Sequence, residues 1–157
     1  MRYILLFLSL AVTIISCKEV VVDEKLADFP LHEWPKNIRA VVRYDIPDSA
    51  DYQLYFVMRH TYQFPYNKLL AKLEIQDSAK HILSSYDLTI PLTDSSGNWA
   101  GDVMDDLYYQ RIKVLLPVHL TPGIHRFVLE HQMRDSTLPY ILNAGIALER
   151  IDNTPPR

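Results

Sequence analysis

Six histidines (His32, His60, His81, His119, His125 and His131) and one cysteine, Cys17, are the side chains best suited to hold a transition metal or act as a nucleophile. Their spacing argues against both roles. No two histidines stand four residues apart around a glutamate, as a helix-borne zinc site requires. His125 and His131 share one face of an expected strand, but the extended chain between them spans about 20 Å, too far to bind one ion. The histidines read as structural or surface residues. One cysteine excludes an internal disulfide framework and a multi-cysteine metal centre. No serine lies in a Gly-x-Ser-x-Gly elbow. Asp94, Asp102, Asp105 and Asp106 gather around Trp99, and hard oxygen ligands suit calcium. The glycine-broken spacing of a calcium loop is missing, however, and acidic loops are ordinarily just solvated. The expectation is a protein without catalytic residues, bound metal or cofactor.

Recognition chemistry is better represented. Tyr62-Gln63-Phe64-Pro65-Tyr66-Asn67 and Gly97-Asn98-Trp99-Ala100-Gly101-Asp102 each link two expected strands. Aromatic rings with a polar tip are enriched at protein interfaces and on sugar platforms. Tyr62, Phe64, Tyr66, Asn67 and Trp99 are therefore the candidate partner-binding residues. The competing reading is that Phe64, Tyr66 and Trp99 cap an open end of the core.

Cys17 has its own chemistry. Tyr3 to Ile15 carries no charge and follows Arg2. As a helix it would rise only about 20 Å, short of the roughly 30 Å hydrocarbon core of a bilayer, so it reads as the apolar region of a signal peptide. It ends in Ile14-Ile15-Ser16-Cys17, with an aliphatic residue at −3, a small one at −1 and the chain's only cysteine first after the cut. That is the pattern of a bacterial lipobox. Cleavage of residues 1–16 would leave Cys17 with a diacylglyceryl thioether and an amine open to a further acyl chain such as palmitate. Two or three chains, at about 0.8 kcal/mol per buried CH₂, anchor effectively for good. The charges of Lys18-Glu19 and Asp23-Glu24-Lys25 fit either a sorting signal or a solvated tether.

The rest of the 157-residue chain must position these groups. Its length suits one domain, and 48% hydrophobic against 22% charged residues is a globular composition. A net charge of −3 without any basic block counts against nucleic acid as a partner. The four glycines (Gly97, Gly101, Gly123 and Gly145) form no phosphate-binding loop.

Residues 17–35 read as lipidated tether plus an N-terminal edge segment, interrupted by Pro30 and Pro35 and pinned by Phe29 and Trp34. From there the period is two. Ala40, Val42, Tyr44 and Ile46 share a face, as do Tyr52, Leu54, Phe56 and Met58, then Leu69, Ala71, Leu73 and Ile75, then Tyr86, Leu88, Ile90 and Leu92. Further strands are expected over 108–116, 124–132 and 141–150, with helical turns possible only over 77–85 and 102–107. The predicted fold is all-β, an antiparallel, jelly-roll-like β-sandwich of seven or eight strands over 36–151, preceded by the signal peptide and followed by a frayed tail at 152–157.

Taken together these segments resemble the gliding-motility lipoproteins of the GldH type. The likeness is carried by Tyr-Gln-Phe-Pro-Tyr-Asn-Lys-Leu (62–69), Gly-Asn-Trp-Ala-Gly-Asp (97–102) and the run 133–150, which sets Met133-Arg134 ahead of Leu138, Ile141, Gly145 and Glu149. Asp102-Val103-Met104-Asp105 departs from the family, which often has further glycines there. The resemblance implies a lipid-anchored component of the cell envelope, on the outer membrane, with no catalytic residues. Its partners would be other gliding-motility lipoproteins or components of type IX secretion. A lipid-anchored carbohydrate-binding sandwich, with Trp99 and tyrosines stacking on sugar rings, is the alternative.

Overall fold

Alternating apolar side chains make strands because successive residues of extended chain face opposite ways, so one face can be buried while the other stays wet. The computed structural model describes residues 22–114 and 116–151; residues 1–16, Cys17 and the 152–157 tail lie outside them. Among the described residues the strands are β1 (Val22–Asp28), β2 (Glu33–Pro35), β3 (Ala40–Ile46), β4 (Ala50–Thr61), β5 (Lys68–Gln76), β6 (Ile82–Pro91), β7 (Asp102–Met104), β8 (Leu107–Lys113), β9 (Val118–Leu120), β10 (Gly123–His131), β11 (Thr137–Pro139) and β12 (Ile141–Ile151). A single 3-10 turn covers Pro30–His32.

Four of these strands (β2, β7, β9 and β11) are only three residues long. The other eight form the sandwich. One sheet runs β1-β12-β4-β8, extended by β7 and with β9 beside β4; the other runs β3-β10-β5-β6. Numbered among the long strands alone, the orders are first-eighth-third-sixth and second-seventh-fourth-fifth, the arrangement of a jelly roll with every pair antiparallel. The core lies between the sheets, where Phe56, Leu54, Leu73, Phe127, Leu129 and Ile146 are fully enclosed.

Chain crossings between sheets define two ends. Val22 pairs with Glu149 and Gly123 with Ile46, so the N-terminal entry lies at the end that holds the β3–β4 and β9–β10 turns. The β4–β5 loop, the β6–β7 loop and the β2–β11 ribbon occupy the opposite end, where Asp28 pairs with Asn143 and His60 with Ile141 and Tyr108. β1 spans about 20 Å between them.

Some details differ from the sequence reading. Asp23-Glu24-Lys25 belongs to a complete edge strand, β1, paired with β12 over seven residues. Phe29 and Trp34 do pin the following segment, with their rings stacked at 4.8 Å and Trp34 fully buried. Residues 102–107 form no helical turn but a hairpin, β7 against β8, in which Val103 pairs with Tyr108. Residues 77–81 form a turn that returns β5 into β6, closed by the Lys80 and His81 amides on Asp77. The strand expected over 108–116 stops at Lys113, which leaves Leu116 84% exposed.

Candidate functional site

The two aromatic loops meet at the far end of the sandwich. Phe64 is buried at 3% exposure, its ring 5.4 Å from Tyr66 and 6.4 Å from Trp99. Phe64 and Trp99, together with Tyr108, surround His60, the last inward residue of β4, whose imidazole lies 5.3 Å from Phe64, 4.5 Å from Trp99 and 5.5 Å from the nearly parallel ring of Tyr108. The loops are tied together by their backbone as well, since the Leu92 amide donates to the Asn67 carbonyl at 2.9 Å.

Local sequence explains why Trp99 turns inward. The Asp94 carboxylate accepts the Ser96 and Asn98 amides at 2.8 and 2.9 Å, and Gly97 takes the left-handed conformation the tight turn needs (φ 84). Hydrogen bonds from the Asn98 and Ser96 backbone hold the Asp94 carboxyl below its ordinary range. Asp94 thus organises the turn. Two residues past Trp99, a side chain at Gly101 would overlap the Tyr109 carbonyl oxygen and crowd the Gln110 Oε1 at 3.2 Å, so glycine lets the loop lie against β8.

Gln110, wholly buried, completes the cluster. Its Nε2 donates to the Leu92 carbonyl at 3.2 Å and faces His60 Nε2 at 3.3 Å, while His60 Nδ1 lies 2.8 Å from the Thr61 carbonyl. These partners fix one neutral tautomer, with Nδ1–H donating to Thr61 and the Nε2 lone pair accepting from Gln110. Burial pushes the His60 pKa down, only partly opposed by the Thr61 carbonyl. With both ring nitrogens engaged and rings packed around it, this imidazole is a structural centre and not a poised base. By sequence His60 reads only as one of the structural or surface histidines, and Tyr108 and Gln110 are not singled out, although His60 continues the inward parity of Met58.

The candidate residues therefore divide. Phe64, Tyr66 and Trp99 come together, Phe64 as core and the other two half-buried against it. Asn67 is exposed, and Tyr62 is 60% exposed. Cys17 lies outside the described residues. Of the other histidines, His125 and His131 are core residues at 5% and 1% exposure, whereas His81 and His119 are exposed beside Asp77 and Asp51. Among the described residues no group of three or more His, Cys, Asp or Glu side chains could hold a metal ion.

A second layer covers the outer face of the β1-β12-β4-β8 sheet. The Tyr109 hydroxyl donates to the Glu24 carboxylate, Arg59 stands 3.8 Å from Glu24, and Arg111 lies 3.7 Å from the Tyr55 ring centroid while bonding Glu149 at 3.2 Å. This lattice explains why Val57, of outward parity, is fully buried.

Among solved structures the chain is similar to a CBM35 from Cellvibrio japonicus Abf62, at 17% identity and a TM-score of 0.42, covering 74% of this chain and 66% of that one. It is similar also to a Xyl-CBM35 in complex with a glucuronic acid containing disaccharide, at 18% identity and a TM-score of 0.41, covering 69% and 64%. The chain thus spans slightly less than two thirds of the length of each. No curated protein matches it. A family match, in contrast, runs from residue 21 to residue 148, through every long strand of the sandwich and both aromatic loops. The chain belongs to the GldH lipoprotein family.

Proposed function

We propose that this protein is a lipid-anchored, non-enzymatic component that assembles or stabilises a gliding-motility and type IX secretion-associated apparatus, held at the outer membrane through acylated Cys17. The observation that supports this most directly is the family match over nearly the whole sandwich. The fold is consistent with such a role. β1 enters at one end of the jelly roll, and four residues lie between Cys17 and Val22, a reach of at most about 18 Å when extended. Anchoring there keeps the tether end near the bilayer and turns the aromatic end toward partners. Confinement to a membrane also raises the effective concentration of the domain for other anchored proteins.

The test has two parts. Metabolic labelling with palmitate should mark the wild-type chain and leave Cys17→Ala unmarked. Crosslinking of tagged protein in native membranes, followed by mass spectrometry, should recover other envelope lipoproteins or secretion components, with that recovery lost in Cys17→Ala. A labelled protein that is recovered alone would sink the assembly role while keeping the anchor.

A further inference from the structure

Beyond the packed cluster, the far end presents five large apolar or aromatic side chains to solvent: Leu31 (90% exposed), Met104 (73%), Tyr62 (60%), Val103 (56%) and Tyr140 (40%). Backbone contacts link the segments that carry them. Met104 pairs with Leu107 and Leu107 with Thr61. The Tyr62 amide donates to the Asp106 carbonyl at 3.3 Å, and the Thr61 amide to the Tyr140 carbonyl at 3.0 Å. Pro139, just before Tyr140, pairs with Glu33, just after His32. Beside Met104 and Leu107 opens a cleft of about 540 Å³, lined also by Arg59, Asp105, Tyr108 and Tyr109.

Scattered exposed hydrophobics are ordinary. These differ in the backbone that displays them. Five non-glycine residues among those described take a left-handed conformation, and four of them belong to this end: Leu31 (φ 61), His32 (φ 56), Asp105 (φ 57) and Tyr140 (φ 65). Aspartate and histidine visit that region more readily than most, but Leu31 and Tyr140 are residue types that rarely adopt it. A leucine pointing into water gains no burial to offset the strain. Strained positions of this kind persist where the surroundings enforce them, and they concentrate at binding surfaces.

Charge says what would cover the patch. Asp28, Glu33, Asp102, Asp105 and Asp106 adjoin these positions along the chain, and all are exposed. Of the cations nearby, Arg59 faces Glu24 at 3.8 Å, and Lys36 donates to the Met133 carbonyl at 3.0 Å. An apolar surface rimmed by carboxylates is complementary to a segment that is apolar and basic. We propose that the end of the sandwich opposite the tether docks a basic, apolar segment of another protein, an aliphatic or aromatic side chain entering the cleft beside Met104 and lysine or arginine side chains meeting Asp105 and Asp106. This rests on the assembly reading above and gives it a surface and a partner chemistry.

The full-length acylated chain, held in lipid nanodiscs and counter-selected against empty discs, should be panned with a random-peptide library. Enriched peptides should carry net positive charge together with aliphatic or aromatic residues. Their affinity should fall about tenfold or more with Met104→Asp combined with Tyr140→Ser. With Asp105→Asn/Asp106→Asn it should fall about threefold and lose much of its salt dependence. Thermal melts of the variants must match the wild type, as exposed side chains allow. Several results would overturn the proposal: no enrichment, enrichment without basic residues, or binding indifferent to the substitutions. Self-association abolished by Met104→Asp would also overturn it, by making a second copy the occupant. Palmitate labelling is unaffected by any of these, so failure of the docking surface and failure of the anchor are read separately.

Discussion

Gly145, in the middle of β12, faces the Lys25 carbonyl of β1 so closely that a Cβ at position 145 would overlap that oxygen and stand 2.9 Å from the Leu26 Cα. Backbone, not a flexible side chain, is what such a Cβ would meet. Gly145→Ala should therefore push β1 away from its partner and cost about 1–3 kcal/mol. Urea denaturation should show the lower midpoint, and hydrogen exchange should show the 22–28 amides losing protection first. A midpoint equal to that of the wild type would mean that β1 can shift aside without cost.

The buried imidazoles give stability a definite pH dependence. Burial lowers the pKa of His60, and burial followed by the charge of Lys36 lowers that of His131. In the unfolded chain both protonate near the ordinary value of about 6.5, so on acidification the unfolded state binds protons before the folded one does. Stability is thus fully present above that value and declines as pH falls below it toward the depressed folded values. Melting temperatures measured across that window should slope upward with pH, and His60→Phe should flatten the slope. An unchanged slope in the variant would show that His60 does not carry the effect.

How far the sequence alone leads depends on which partners a residue has. The inward faces of β3, β4 and β5 follow from a period of two because burial of alternate side chains is a local pattern. Residues 17–35 read as tether plus an N-terminal edge segment, but where the edge strand begins is hidden at Asp23-Glu24-Lys25, whose charges look like solvation until their partners are placed. Glu24 meets Tyr109 and Arg59, while the Lys25 ammonium lies 4.6 Å from the Tyr44 ring and donates to the Arg43 carbonyl at 2.9 Å. His60 is legible by parity but not by type, since its partner Gln110 sits 50 positions away and nothing local shows that the two meet. The left-handed backbone at Leu31 and Tyr140 leaves no mark in residue type at all, because neither is a residue that favours it.

The outer lattice predicts a late-titrating phenol. Burial first, and the Glu24 carboxylate second, push Tyr109 up to about 12. A raised folded pKa means that this contribution to stability is whole below the ordinary tyrosine value of about 10 and is lost as pH climbs through the folded one. Ultraviolet titration should show a late phenolate phase that diminishes in Tyr109→Phe. Tyr44 and Tyr55, also raised by burial, should persist there. Glu24→Gln should bring Tyr109 back toward its ordinary value, and a titration identical to that of the wild type would remove Glu24 as a cause.

Phe64 and Tyr62 sit two residues apart in one loop and should behave oppositely. Phe64 is buried at 3% exposure beneath Trp99, and Tyr62 is 60% exposed. Phe64→Ala should cost about 3–5 kcal/mol and leave a void beside the indole. Tyr62→Ala should change stability by no more than about 0.5 kcal/mol. Tryptophan emission separates the two cases: water reaching Trp99 shifts it to the red in Phe64→Ala and leaves it in place in Tyr62→Ala. Trp34, stacked on Phe29 and fully buried, supplies an unshifted background in both. If Phe64→Ala kept both its stability and its emission, the ring cluster would not be the plug of this end, and the buried loop residues would return as candidates for recognition. The expected result instead leaves recognition to the exposed residues around the plug, with the plug holding their backbone in place.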